Sequence, residues 1–194
     1  METTSKKQYK MSSLLESAYE LFTHKGVRET SIDDIVKRAN VAKGTFYLYF
    51  KDKYDLLDRI VLRKSAAVMD QALAALDEET ARRELAFEDR VIFFIDYVIG
   101  YLKQNRQLLS ILYKNLTDGL FVGPSGQEAA AGAINRFTAD FVARGATEAQ
   151  ARHTLYIILE MVGGVCYSTI IDQSPCSIEE ISPTLYDMIR KLLR

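Results

Sequence analysis

Residues 30–57, TSIDDIVKRANVAKGTFYLYFKDKYDLL, contain the signals for two short helices separated by a tight turn. Ser31 precedes Asp34 at the spacing of a capping box, and acidic side chains suit the first turn of a helix. We therefore predict that the first helix starts at Ser31. Apolar residues recur at helical spacing from Ile32 to Ala39, which gives this helix one buried face.

The chain is predicted to reverse between Ala39 and Ala42, because Asn40 tolerates a left-handed backbone. A second helix over residues 43–50 then buries Phe46 and Phe50, which lie four residues apart. Its other side chains include a cation, hydroxyls and aromatic edges, which are groups that read the major groove of DNA. The two helices therefore have the pattern of a DNA-binding helix-turn-helix.

The run AKGTFYLYFKDKYDLL, with TSIDDIVKRANV before it and the amphipathic segment around LLESAYELFTHKGV, resembles the N-terminal domain of TetR-family transcriptional regulators. The rest of the chain shares only the length and helicity of that family. The resemblance implies a ligand-responsive regulator of transcription that acts as a repressor. Such a protein binds a palindromic double-stranded DNA operator as a homodimer and is released by a small, apolar or aromatic effector.

The resemblance also assigns roles at the DNA. It places Tyr47 against a base edge or a thymine methyl group, with Lys43, Gly44 and Thr45 at the N-terminal tip of the same helix. It places Tyr49, Lys53 and Thr30 or Ser31 at phosphates, where they position the helix without reading sequence. The predicted DNA contacts are Thr30, Ser31, Lys43, Gly44, Thr45, Tyr47, Leu48, Tyr49 and Lys53. The alternatives are ordinary amphipathic packing for Tyr47 and Tyr49, and a solvated side chain for Lys43.

Length and charge support a division into two domains. The 194 residues, 48% of them hydrophobic, can form a DNA-binding module over residues 1–53 and a larger helical domain over residues 54–194. The net charge of −1 is unevenly distributed, because residues 1–53 carry ten Lys or Arg against seven Asp or Glu. Electrostatic attraction to phosphate is therefore expected from the first module alone.

The remaining periodicity predicts helices throughout. An apolar stripe from Leu14 to Phe22, stopped by Gly26, predicts a helix over about residues 10–25. Residues 1–10 are predicted to form either an arm that reaches the DNA or a solvated tail. Later helices are predicted at 53–77, 85–103, 106–119, 125–144, 147–172 and 177–194, with Pro183 delaying the start of the last helix until after Ser182. We find no alternating strand pattern, so the predicted fold class is all-α.

A single reader helix contacts few base pairs, and helix-turn-helix proteins commonly bind as two-fold dimers. Apolar stripes and small residues on the last two helices suit a dimer interface. The residues predicted for it are Leu155, Leu159, Val162, Gly163, Cys166, Ile170, Leu185, Met188 and Leu192. The alternative is that these stripes close the core of the monomer.

Residues 91–167 are rich in aromatic side chains. By the resemblance, this region encloses an effector cavity, and such cavities are mostly apolar. The predicted lining residues are Tyr97, Tyr101, Tyr113, Phe137 and Met161. The alternative is that these side chains simply pack in the core.

The sequence offers little for catalysis or metal binding. Its reactive side chains are limited to His24, His153, Cys166 and Cys176, and the cysteines lie ten residues apart without a CxxC pair. We therefore expect no enzyme activity, no metal and no cofactor, and we expect the thiols to be reduced.

No apolar stretch is expected to reach the roughly 20 residues that span a bilayer, and the first fifteen residues lack the core of a signal peptide. A cytoplasmic, nucleoid-associated protein without a membrane partner is expected. The remaining alternative is a helical small-molecule carrier with a non-functional DNA module, which the intact Lys43, Tyr47 and Lys53 argue against.

Overall fold

A computed structural model describes the backbone of residues 2–113 and 124–194, and the side chains of residues 6–113 and 131–194. Every regular element in these ranges is helical, which confirms the predicted all-α fold class. The α-helices are α1 Glu2–Lys25, α2 Ile32–Arg38, α3 Lys43–Tyr47, α4 Lys53–Arg82, α5 Phe87–Gln104, α6 Arg106–Leu112, α7 Pro124–Ala143, α8 Glu148–Cys166 and α9 Ile178–Leu192. The part of the predicted 106–119 helix beyond residue 113 lies outside the described residues.

Helix α1 begins much earlier than predicted. The sequence was expected to form an arm or tail over residues 1–10, but the backbone is helical from Glu2. That expectation is wrong because the polar residues there are compatible with helix, and no proline or glycine precedes Gly26. Gly26 adopts a φ of +86° and ends the helix as predicted.

The chain divides into two compact units, residues 1–63 and residues 64–194. Helix α4 runs through the division without a break, and it continues five residues past the predicted end at Asp77 because the following DEETAR contains no helix breaker. The core of the first unit contains Leu14, Ala18, Phe22, Ile35, Phe46, Phe50, Leu56 and Ile60, all of which are buried. Helices α1 to α3 all pack against this core.

In the second unit, an ion pair connects helix α5 to helix α7, and a side-chain hydrogen bond connects α5 to helix α9. The Arg90 guanidinium lies 2.7 Å from Asp140 of α7, and the Tyr186 hydroxyl of α9 donates to Asp96 over 2.5 Å. Burial, followed by this hydrogen bond to Asp96, raises the pKa of the Tyr186 hydroxyl above its usual range. The apolar faces of these helices close around the unit's core.

Helix α8 is followed directly by a π-helical turn over Tyr167–Ile171. Together they form the one helix in the described chain that is long and apolar enough, by length and composition, to cross a membrane. The expectation that no stretch reaches this length is therefore wrong. Core helices of soluble proteins pass the same test. Only 28% of the apolar window is buried, so this helix also carries exposed apolar surface.

Helix α9 begins before Pro183, not after Ser182 as predicted. Ser177 caps it, since the Glu180 N–H donates to the Ser177 hydroxyl over 3.3 Å and the Ser177 N–H donates to the Glu180 carboxylate over 2.8 Å. Pro183 removes one backbone N–H within the helix. The capping box starts α9 five residues upstream of that break.

Candidate DNA-binding interface and ligand cavity

A capping box fixes the start of helix α2, as the sequence predicted. The Asp34 N–H donates to Ser31 Oγ over 3.1 Å, and the Ser31 N–H donates to Asp34 Oδ2 over 2.9 Å. The Lys25 ammonium adds a 2.7 Å bond to the same carboxylate. These bonds, led by that of Lys25, hold the pKa of the Asp34 carboxyl well below its usual range.

The turn between α2 and α3 also follows the prediction. Asn40 adopts a φ of +52°, and the Val41 N–H donates to the Val36 carbonyl over 3.0 Å. The Ser13 hydroxyl of α1 donates to the Ala39 carbonyl over 3.2 Å. The turn is therefore held both by its own backbone and by the first helix.

Helix α3 presents a compact exposed surface above a buried base. Phe46 is fully buried, whereas Tyr47 is 54% and Leu48 78% exposed. A Cβ placed on Gly44 would meet no atom within 4 Å, so packing within the unit does not require a glycine there. Lys43 is exposed and Thr45 half-buried. The structure thus brings all the side chains predicted for the tip of the reader helix to one small surface.

Helix α3 is shorter than predicted, because it ends at Tyr47 and not at residue 50. Asp52 accounts for the early end, since its carboxylate accepts from the N–H groups of Tyr54 and Asp55 and starts helix α4 immediately afterwards. The half-buried Tyr49 donates its hydroxyl to the Lys7 carbonyl of α1 over 3.2 Å. This hydroxyl, predicted at a phosphate, is engaged within the unit.

The ammonium group of Lys53 is enclosed by backbone carbonyls. It donates to Val27 over 2.8 Å, to Arg28 over 2.9 Å and to Thr30 over 2.9 Å. An ammonium has three donors, so these carbonyls occupy all of them. In this structure Lys53 ties the start of α4 to the loop before α2, and its predicted phosphate contact stays a prediction.

Thr30 was also predicted at a phosphate, and that contact stays a prediction. The side chain is 1% exposed, and its hydroxyl donates to the Gly26 carbonyl over 2.8 Å. The hydroxyl satisfies a carbonyl left open where α1 ends. Ser31, by contrast, is exposed, although its hydroxyl serves the capping box.

Lys43 has a partner that the sequence reading missed. Its ammonium lies 2.9 Å from the Asp33 carboxylate of α2, and the hydrogen bond to Asp33 raises the pKa of Lys43. The signal was available, because Asp33 stands in the first turn of α2 and Lys43 in the first turn of α3, and the turn predicted between them reverses the chain. An exposed ion pair of this kind exchanges readily with water or phosphate.

The second unit contains a partly open apolar cavity of about 150 Å³. Its described lining comes from helices α4 to α8, and serine is its one polar residue. The lining residues are Ser65, Val68 and Met69 of α4; Val91, Phe94, Ile95, Val98 and Leu102 of α5; Leu112 of α6; Ala133, Ile134 and Phe137 of α7; and Leu155, Ile158, Leu159 and Val162 of α8.

Of the five residues predicted to line a pocket, Phe137 alone lies in this lining. Tyr97 and Tyr101 on α5 and Met161 on α8 are half-buried and lie outside this lining. Tyr113 is 41% exposed and stacks on Tyr167 with ring centroids 4.4 Å apart. The prediction followed aromatic content, whereas the apolar repeat from Val91 to Leu102 was the signal that locates the cavity.

The residues predicted for a dimer interface fall into three groups in the structure, which are buried, cavity-lining and exposed. Val162, Cys166, Ile170 and Leu185 are buried in the unit itself, so the alternative of a monomer core describes them correctly. Leu155 and Leu159 line the cavity, and a Cβ placed on Gly163 would lie 3.9 Å from Cδ2 of Tyr113. Met188 and Leu192 are each 41% exposed, and the sequence reading missed Tyr156 and Ile157, at 43% and 49%.

The reactive side chains form no site in the described parts of the chain. No three His, Cys, Asp or Glu residues are grouped there so that they could hold a metal ion. Cys166 is buried, and desolvation raises the pKa of its thiol to about 12. A thiol so protonated is a poor nucleophile.

Residues 14–60 match the family model described as bacterial regulatory proteins, tetR family. The uncharacterized HTH-type transcriptional regulator YvdT of Bacillus subtilis is 42% identical over 109 residues, which cover 55% of this chain and 53% of that protein. The chain spans about half the length of the curated relatives it matches.

Two solved structures share the fold. The transcriptional regulator FadR of Bacillus subtilis, in complex with stearoyl-CoA, has a TM-score of 0.63 at 17% identity, covering 94% of this chain and 99% of FadR. A TetR family transcription regulator from Marinobacter aquaeolei VT8 also has a TM-score of 0.63 at 17% identity, with 99% and 98% covered. At such identities the likeness concerns the fold alone.

Proposed function

We propose that this chain is a ligand-responsive transcriptional repressor of the TetR family, whose model its residues 14–60 match. It binds a palindromic double-stranded DNA operator as a homodimer in the cytoplasm, at the nucleoid. A small, apolar or aromatic effector releases it. The observation that carries this proposal is the exposed surface of α3.

That surface combines the groups that a major-groove reader needs. Tyr47 and Leu48 offer an aromatic edge and an apolar contact for a thymine methyl group, and Lys43 supplies a cation. Gly44 leaves room for close approach of the DNA, since nothing in the unit itself occupies the space of its missing side chain. Phe46 and Phe50 anchor the surface from below.

The exposed apolar residues of the second unit support the proposed homodimer. Ile157 on α8 and Met188 and Leu192 on α9 are all more than 40% exposed. Exposed apolar residues on neighbouring helices favour burial against a partner. We assign that partner to a second copy, because two reader helices double the base pairs that are contacted.

Release by an effector rests on the apolar cavity. A ligand changes DNA affinity only if it binds the DNA-bound and DNA-free conformations differently. The cavity is lined by α4, the helix that runs from the first unit into the second. FadR, which shares the fold, was solved in complex with stearoyl-CoA, so a protein of this fold can bind a ligand that carries a long apolar chain.

The test is selection of genomic DNA fragments by the purified protein at near-physiological salt, with Tyr47→Ala as the control, followed by sequencing. We expect the wild type alone to enrich a palindromic site that overlaps a promoter. Transcription from that promoter in vitro should fall when the protein is added. Absence of enrichment by the wild type would contradict the proposal and favour a ligand carrier without DNA function.

A further inference from the structure

The cavity of the second unit has an almost uniform chemistry. Ser65 is the sole polar residue of its described lining, and no described charged side chain takes part. We infer that the cavity takes a neutral, ring-sized apolar molecule that carries one hydrogen-bonding group, and that this group bonds to the Ser65 hydroxyl. The inference rests on the proposed function in treating this cavity as the effector site.

Ser65 supplies the polar group to which we expect the ligand to bond. Its side chain is 3% exposed, and its hydroxyl has no hydrogen-bond partner within the described protein. A buried hydroxyl without a partner is unfavourable, and most such groups in folded proteins are satisfied. Because Ser65 lines the cavity, a ligand that enters with a hydroxyl or carbonyl group can supply the missing bond.

The chemistry of the described lining also limits the charge of the ligand. A carboxylate or phosphate transferred into an apolar cavity needs a cation or several donors, and without them its desolvation opposes binding. The nearby basic side chains Arg90 and Arg136 are already paired, with Asp140 at 2.7 Å and Asp77 at 2.6 Å. Neither arginine lines the cavity. The described lining therefore favours a neutral ligand over an anionic one.

The volume of the cavity limits the size of the ligand. An engineered apolar cavity of about 150 Å³, the volume found here, stays dry and binds benzene. Phe94 and Phe137 form part of the wall, with their rings edge to face and their centroids 5.4 Å apart. A six-membered ring with one polar substituent matches both the volume and the single hydroxyl.

Three small probes test the inference with the full-length protein and without DNA. Phenol and toluene have the same shape but differ in one hydroxyl, and benzoate is charged at pH 7. Binding is measured by ligand-observed NMR titration. We expect the wild type to bind phenol and toluene saturably and benzoate at least tenfold more weakly. Ser65→Ala should weaken phenol binding about two- to tenfold, the worth of one hydrogen bond, and leave toluene unchanged.

Thr138→Val is the matched control, because Thr138 has the other buried hydroxyl without a partner among the described side chains but lies outside the cavity lining. It should leave the ratio of phenol to toluene affinity unchanged. An unaltered ratio in Ser65→Ala, benzoate binding equal to that of phenol, or no saturable binding of either neutral ring would overturn the inference. Ser65→Ala should fold, since it removes an unsatisfied group.

The outcome is separable from that of the proposed function. Retention of DNA fragments is measured on the same preparation in a separate assay. Operator binding without any binding of the rings would overturn this inference and leave the regulator intact. Binding of the rings without operator binding would contradict the proposed function, while the chemistry assigned to the cavity would stand.

Discussion

The ammonium of Lys43 lies 2.9 Å from the carboxylate of Asp33, so an exposed ion pair joins the proposed reader helix to the helix before it. Phosphate contact by Lys43 would have to compete with this carboxylate. We therefore expect the pair to reduce the attraction of the helix-turn-helix for DNA of any sequence.

Asp33→Asn should tighten binding to specific and non-specific DNA by about two- to fivefold, because it releases Lys43 and removes a negative charge near the phosphates. Affinities are measured by fluorescence anisotropy over a series of salt concentrations. Glu29→Gln removes the same charge at another exposed position of the unit and serves as the control. Equal effects of the two variants would show that the Lys43 pair is not the cause.

Lys53→Met should destabilise the first unit by about 1–3 kcal/mol, because three carbonyls lose a charged donor. DNA binding should weaken on all sequences. Thermal unfolding measures the first effect, and the slope of log affinity against log salt measures any phosphate contact. Lys51→Met, which removes the same charge from an exposed position, should leave stability nearly unchanged. A Lys53→Met protein of wild-type stability would refute the role of the carbonyl bonds.

Tyr47→Ala should abolish the preference for the operator while the fold and the dimer persist. Tyr47 is 54% exposed and contacts the unit mainly through the edge of Phe46, at 5.4 Å between centroids. Phe46→Ala is the contrasting variant and should cost about 3–5 kcal/mol, because it opens a cavity in the core. Competition between operator and random DNA gives the readout. Undiminished preference in Tyr47→Ala would remove Tyr47 from the reading of bases.

Acid should weaken the capping box of α2. The pKa of Asp34 is lowered in the folded protein, so its contribution is complete above the unfolded pKa of about 3.9 and decreases progressively as pH falls from that value toward the lower folded pKa. Asp34→Asn should therefore lower the Tm at pH 7 and have a smaller effect near pH 2.5. Circular dichroism melts provide the measurement, with Glu29→Gln as the control. An effect of Asp34→Asn that is independent of pH would contradict this linkage.

Ile157→Glu should convert the dimer to monomer with unchanged helical content, because it places a charge on the exposed apolar surface of α8. Sedimentation equilibrium measures the mass. Val142→Glu introduces the same charge at a residue of α7 that is 42% exposed, and it should leave the dimer intact. A dimeric Ile157→Glu protein would move the interface elsewhere.

The helix-turn-helix could be predicted almost residue by residue because its signals are local. The Ser31 capping box, the left-handed Asn40 and the Gly26 stop each act within a few residues of their own position. The partners of Lys53 and Thr30 could not be predicted in this way. Lys53 reaches carbonyls more than twenty residues earlier, and Thr30 turns its hydroxyl inward, as only the packed unit determines.

The second unit was less predictable because one apolar stripe serves three purposes. On α8, Ile158 and Val162 face the cavity and Cys166 the core, whereas Ile157 is exposed. Adjacent positions on a helix differ by about 100° in direction, so a small error in orientation exchanges one surface for another. Composition alone suggested that aromatic side chains line the cavity. Which side chains of α5 line it depends on how this helix is rotated about its axis relative to its neighbours.

Helix α3 comprises only five residues. At 1.5 Å per residue it is about 7.5 Å long, roughly the rise of two base pairs along the duplex. A sequence of two base pairs recurs very often in any genome, so one copy of this helix cannot specify a single site. For the proposed dimer, most of the information that locates it is then expected to come from the spacing between the two sequences that its copies read and from the bendability of the DNA between them. The operator is thus expected to be defined as much by the spacing of its two halves as by their base sequence.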